Sequence, residues 1–197
     1  MRSSGSAMNP SSDMVMWVNT VVITGSLGVV VPGPTVPGRG SHRSGRYGVA
    51  MEPDRTWPDG DGIVELPDGR RVRGTGLRRP RGPAPAPELA VYLRGRDPRV
   101  TGWEYRWVRW PDFRLPASTD DAVAALREAH GRAAAERVEI ACGGGVGRTG
   151  TALALLAVLS GVAPADAVGW VRAHYHPRAV ETRGQRRWVE ETGAALR

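Results

Sequence analysis

Apolar positions along this chain fall into two alternating rhythms. Short runs rich in Val, Ile, Leu, Tyr and Trp predict strands at Gly62-Ile63-Val64-Glu65-Leu66, Arg70-Arg71-Val72-Arg73, Leu89 to Leu93, Glu104 to Trp110 and Val138-Glu139-Ile140-Ala141. Pro67-Asp68-Gly69 supplies a turn between the first two. Helical spacing begins after Ser118-Thr119-Asp120-Asp121, a capping signal with carboxylates in the first turn. Val123, Leu126, Ala129 and His130 then share one face of a helix reaching about Glu136. Arg148 to Ser160 reads as an apolar helix stopped by Gly161. Pro164 opens a helix carrying Val168, Trp170 and Val171, and a last helix covers about Thr182 to Leu196. Strands interleaved with helices predict an α/β layered domain: a central mixed or parallel sheet flanked by helices.

The first 46 residues fit neither rhythm. Met1 to Asp13 is rich in Ser, Asn and Gly, and Pro32 to Gly48 is dense in Pro, Gly, Ser and Arg. Val15 to Val31 is apolar but interrupted by Asn19, Thr20, Thr24, Gly25 and Ser26, too short and polar for a membrane helix. Residues 1–46 are therefore expected to be a disordered tail or linker, and 47–197 one folded domain. Met8, Met14, Met16 and Met51 are alternative initiators.

Composition narrows the partners. The 27 basic residues are all arginine, giving a net charge of +7. No run of five basic residues and no zinc-spaced Cys/His set occurs, so no nucleic-acid partner is expected. A positive surface favours encounter with anionic phosphoesters. One cysteine excludes an internal disulfide framework and fits a reducing, cytoplasmic setting.

That cysteine opens the segment with the most chemistry, Cys142-Gly143-Gly144-Gly145-Val146-Gly147-Arg148-Thr149-Gly150, placed between a predicted strand and a predicted helix. A phosphate monoester carries about two negative charges near neutral pH and needs many donors in a small space. Gly143, Gly144, Gly145 and Gly147 let the backbone through Val146 fold with its N–H groups inward. The following helix adds its N-terminal dipole, and Arg148 a planar fork for two oxygens. The same field favours the Cys142 thiolate. The Thr149 hydroxyl can donate to that sulfur when it leaves. Upstream, Trp110-Pro111-Asp112 offers a carboxyl to protonate a leaving oxygen, with Trp110 and Pro111 anchoring the loop that carries it.

These segments resemble the cysteine-based protein tyrosine phosphatase superfamily, near its dual-specificity-like and bacterial members. Cys142 to Gly150 is similar to the superfamily's Cys-x5-Arg-Ser/Thr-Gly loop, and Trp110-Pro111-Asp112 to its general-acid loop. Glu181-Thr182-Arg183-Gly184-Gln185 resembles its Gln-Thr-x-x-Gln loop, whose second glutamine positions the hydrolytic water. The resemblance implies hydrolysis of protein phosphotyrosine, with dual specificity as an option, or of a small phosphoester. It implies Cys142 as nucleophile, Asp112 as acid, Gln185 as water-positioning residue with Glu181 secondary, and no metal or cofactor. Ala141 stands where the superfamily has a histidine, and no lysine-containing phosphotyrosine-recognition loop is visible.

Two alternatives stay open at this level. A phosphate-binding module without useful catalysis would account for the loop and for Ala141. Gly145-Val146-Gly147-Arg148-Thr149-Gly150 also fits a dinucleotide-binding G-x-G-x-x-G, which needs a further strand after its helix. Trp57-Pro58-Asp59 is a second copy of the acid-loop tripeptide. His42, His130, His174 and His176 form no ligand pattern and read as surface residues.

Overall fold

The computed structural model describes residues 56–197; the expected tail, its alternative initiators, the 46/47 boundary and His42 lie outside them. Five strands form one sheet in the order β1-β2-β5-β3-β4: β1 (Ile63–Glu65), β2 (Arg71–Gly76), β3 (Leu89–Arg94), β4 (Glu104–Arg109) and β5 (Val138–Cys142). β1 pairs antiparallel with β2, and every other pairing is parallel. The helices are α1 (Thr119–Arg132), α2 (Gly147–Leu159), α3 (Ala167–His174) and α4 (Arg183–Ala195). No strand follows α2 among the described residues, so the G-x-G-x-x-G match lacks the strand–helix–strand unit a dinucleotide site is built on.

Burial explains the strand order. Leu89 to Leu93 of β3 and all of β5 are buried on both faces, as interior strands of a parallel sheet must be. One face, with Leu89, Val91, Leu93, Val138, Ile140 and Cys142, belongs to the main core shared with the helices. The other carries Ala90, Tyr92 and Ala141 under Leu77, Trp103 and Tyr105. Trp103 donates its indole N–H to the Tyr92 hydroxyl at 3.0 Å.

The helices follow their sequence signals with two shifts. Ser118 caps α1 by accepting the Asp121 N–H at 3.1 Å. Its buried stripe is Ala122, Ala125, Leu126 and Ala129, while Val123 and His130 sit at the margin. The buried face is thus shifted by one position from the expected one. α3 starts at Ala167, with Pro164 in the turn before it. α2 is buried from Gly147 to Val158, the pattern of a helix enclosed on all sides.

The second face of the sheet holds a charged group. Glu139 of β5 is wholly buried and accepts two hydrogen bonds from Arg81, at 2.8 and 3.0 Å, with Arg73 of β2 at 3.5 Å. Among the described residues, no group of three His, Cys, Asp or Glu is arranged to hold a metal ion. None of their helices is long and apolar enough to cross a membrane. Removing the Glu139 carboxylate strands the buried Arg73 without its counter-charge. Glu139→Ala is expected to lower unfolding free energy by about 3 kcal/mol, read from the midpoint of a denaturant titration.

Candidate active site

Three segments leave the sheet at the carboxyl ends of its parallel strands, where ligand sites of such sheets lie. From β5 comes Cys142 and its loop, from β2 Leu77 and Arg78, and from β4 Trp110 to Asp112. The first two are stitched together: Leu77 N–H donates to Cys142 O at 2.8 Å and Arg78 N–H to Gly143 O at 3.1 Å. The sheet ladder thus runs on into the loop and fixes its first residues.

Cys142 is 2% exposed, and its Sγ accepts the Gly145 N–H at 3.1 Å. Gly145 turns with φ +75°, and a Cβ there would fall 2.6 Å from Gly76 N. A Cβ on Gly147 would collide with the Glu181 carboxylate. These two positions need glycine to let the loop pack on its neighbours. No side chain caps the start of α2 and its first turn holds no acid, so its leading N–H groups and dipole serve the loop.

Arg148 joins this loop to the Trp110–Asp112 segment. The guanidinium is 6% exposed; Nη1 donates to Trp110 O at 2.9 Å and Nη2 meets Asp112 Oδ1 at 2.8 Å. Its Nε is buried with no hydrogen-bond partner among the described residues. Trp110 is fully buried and fixed from three sides: N–H to Arg94 O at 2.9 Å, indole N–H to Arg114 O at 2.7 Å, and its ring edge-on to Trp188 of α4 at 5.2 Å. Pro111 and Asp112 follow at the rim, with Phe113 exposed beside them. Asp112 Oδ2 also lies 3.6 Å from Arg78 Nη2.

Arg78 escaped the sequence reading. An arginine after a strand is ordinary in a chain whose 27 basic residues are all arginine. Only the parallel register of β2 with β5, where Gly76 faces Cys142, brings it to the site.

The remaining expected residues are placed less simply. Thr149 is buried, but its hydroxyl points to Thr75 O at 3.4 Å rather than pairing with the sulfur. Gln185 is buried and forms a capping box with Thr182 at the start of α4. Its Oε1 accepts the N–H groups of Glu181 and Thr182 at 2.9 and 3.3 Å, so the amide oxygen is occupied by the helix start. Its Nε2 is buried and unpartnered among the described residues. Of this pair, it is the Glu181 carboxylate that lies against the loop, at Gly147.

The second Trp-Pro-Asp is separated from this site. Trp57 donates its indole N–H to Val138 O at 2.8 Å, at the opposite end of β5 from Cys142, and Asp59 pairs with Arg71. The described histidines hold structure: His130 bonds Asp68 and Ser160, His174 stacks on Trp170 at 4.3 Å, and His176 accepts the Arg178 N–H at 3.1 Å.

No curated protein matches the sequence significantly. Among solved structures, Tk-PTP in its active form is 26% identical with a TM-score of 0.53, the match covering 66% of this chain and 96% of that one. A glycine-to-alanine mutant form of Tk-PTP is 28% identical (TM-score 0.49, covering 55% of this chain and 78% of that one), and DUSP15 is 16% identical (0.44, 55% and 71%). The protein-tyrosine phosphatase family model matches residues 87–187, a span that takes in Asp112, Cys142, Arg148 and Gln185. With half its length inside that match, the chain belongs to the protein-tyrosine phosphatase family and is a phosphatase enzyme.

Proposed function

We propose that the protein hydrolyses phosphate monoesters, protein phosphotyrosine first and phosphoserine or phosphothreonine as a second class, through a phosphocysteine on Cys142. The observation that carries this reading is the double engagement of Arg148. One buried guanidinium holds the Trp110–Asp112 segment by Trp110 O and Asp112 while its Nε has no partner among the described residues. A buried donor without a partner costs about 1–3 kcal/mol, which an incoming phosphoryl oxygen would recover.

In the first step the Cys142 thiolate attacks phosphorus in line. The S–P bond forms, the P–O bond to the leaving group breaks, and Asp112 gives its proton to the departing oxygen. Arg148 and the loop N–H groups hold the equatorial oxygens. In the second step a water oxygen attacks phosphorus and Asp112 takes the water proton. The S–P bond breaks, releasing phosphate and the thiolate. With its oxygen engaged in capping, Gln185 has its Nε2 group left to orient that water, with Glu181 beside the loop. Phe113 and Leu115, exposed next to Asp112, offer apolar surface to an aryl leaving group and support phosphotyrosine. A lone cysteine that must stay reduced supports a cytoplasmic setting.

Cys142→Ser is expected to abolish hydrolysis of phenyl phosphate while retaining phosphate binding, checked by turnover assay and calorimetry; turnover at the wild-type rate would refute the scheme. Asp112→Asn is expected to cut kcat roughly hundredfold on phenyl phosphate and much less on p-nitrophenyl phosphate, whose leaving group needs no proton. An equal loss on both would remove Asp112 as the acid.

A further inference from the structure

Tyr175, at the end of α3, takes no part in the chemistry above. Its ring lies across Gly74 of β2, where a Cβ would fall 2.5 Å from Cε2 and 2.7 Å from Cζ. That seat brings the phenol to the cysteine loop, and its hydroxyl donates to the carbonyl oxygen of Gly145. Burial, then the nearby Cys142, push the phenol well above its ordinary value, with Arg79 acting against them. The hydroxyl therefore stays protonated, and stays a donor, across neutral pH.

The identity of the acceptor matters. Gly145 O belongs to the Gly145–Val146 peptide. In a planar trans peptide the carbonyl and the N–H point to opposite sides. With the carbonyl drawn to Tyr175, the Val146 N–H is directed to the other side of the loop. The preceding peptide is fixed separately, through the Gly145 N–H on Cys142 Sγ. Gly143 to Gly145 have no side chains to hold their peptide planes, and glycine rotates freely. Turned over, the Gly145–Val146 peptide would present a carbonyl oxygen where a phosphoryl oxygen needs a donor. An outside group must therefore hold it, and Tyr175 is the group in contact.

We propose that Tyr175 is a positioning residue of the phosphate loop, its hydroxyl locking the Gly145–Val146 peptide so that the Val146 N–H faces the bound phosphoryl group. This rests on the reading of the loop as a phosphate site, and it can fail independently of turnover.

The test is Tyr175→Phe, which keeps the ring on Gly74 and removes only the hydroxyl. Wild type and variant are titrated with inorganic phosphate while the Val146 amide is followed by NMR, and assayed with p-nitrophenyl phosphate. Phosphate is expected to bind the variant roughly tenfold more weakly, the size of one lost well-placed hydrogen bond. The Val146 amide response on binding is expected to vanish, and kcat/KM to fall by a similar factor with the melting temperature little changed. Unchanged phosphate affinity and an unchanged Val146 response overturn the proposal, and so does a lower melting temperature with wild-type affinity, which marks a packing role. If wild type binds phosphate but hydrolyses nothing, the phosphatase reading falls and the titration still decides Tyr175. If neither protein binds phosphate, both readings fall.

Discussion

A buried guanidinium is tolerable only while its N–H groups and its charge are matched. Arg148 meets that condition for two of its nitrogens by binding the Trp110–Asp112 segment, and leaves Nε without a partner among the described residues. The helix that carries it starts at the cysteine loop, and two of its nitrogens reach the Trp110 carbonyl and the Asp112 carboxylate. The cysteine loop and Asp112 are thereby parts of one electrostatic unit rather than two sites that happen to be near. The coupling runs further, because Trp110 is clasped from behind by Trp188 of the last helix. A perturbation of α4 has a packed route, through Trp188 and Trp110, to Asp112.

The fold was legible wherever local signals and burial agreed. β3 and β5 read as apolar runs because they are covered on both faces, and Ser118 and Thr182 marked helix starts that use their side chains as caps. What periodicity could not supply was register. Arg78 reaches the site only because β2 runs parallel to β5 and its continuation pairs with Cys142 and Gly143. Tyr175 was hidden for the same reason: its acceptor is a backbone carbonyl thirty positions away, and no pattern of side chains announces such a bond. The second Trp-Pro-Asp, which the sequence could separate from the first only by its context, was sorted by which end of β5 it touches.

Segment Glu181–Gln185 shows how motif and geometry divide. The motif places both residues at the loop, but a helix start needs its N–H groups satisfied, and Gln185 answers that need with its amide oxygen. Glu181, displaced from the helix start, is the one whose carboxylate reaches Gly147. A residue's position in a motif names its neighbourhood; which of its atoms is free is decided by the capping demands of the element it begins.

Of the loop glycines, Gly144 alone is exposed, and a Cβ added there would meet nothing within 4 Å. Its backbone angles also lie outside the left-handed region that disfavours side chains. The loop is therefore closed to variation at Gly145 and Gly147 and open at one point on its rim. Divergence, or a designer, can append a new recognition group or reporter at Gly144 without rebuilding the cradle beneath it.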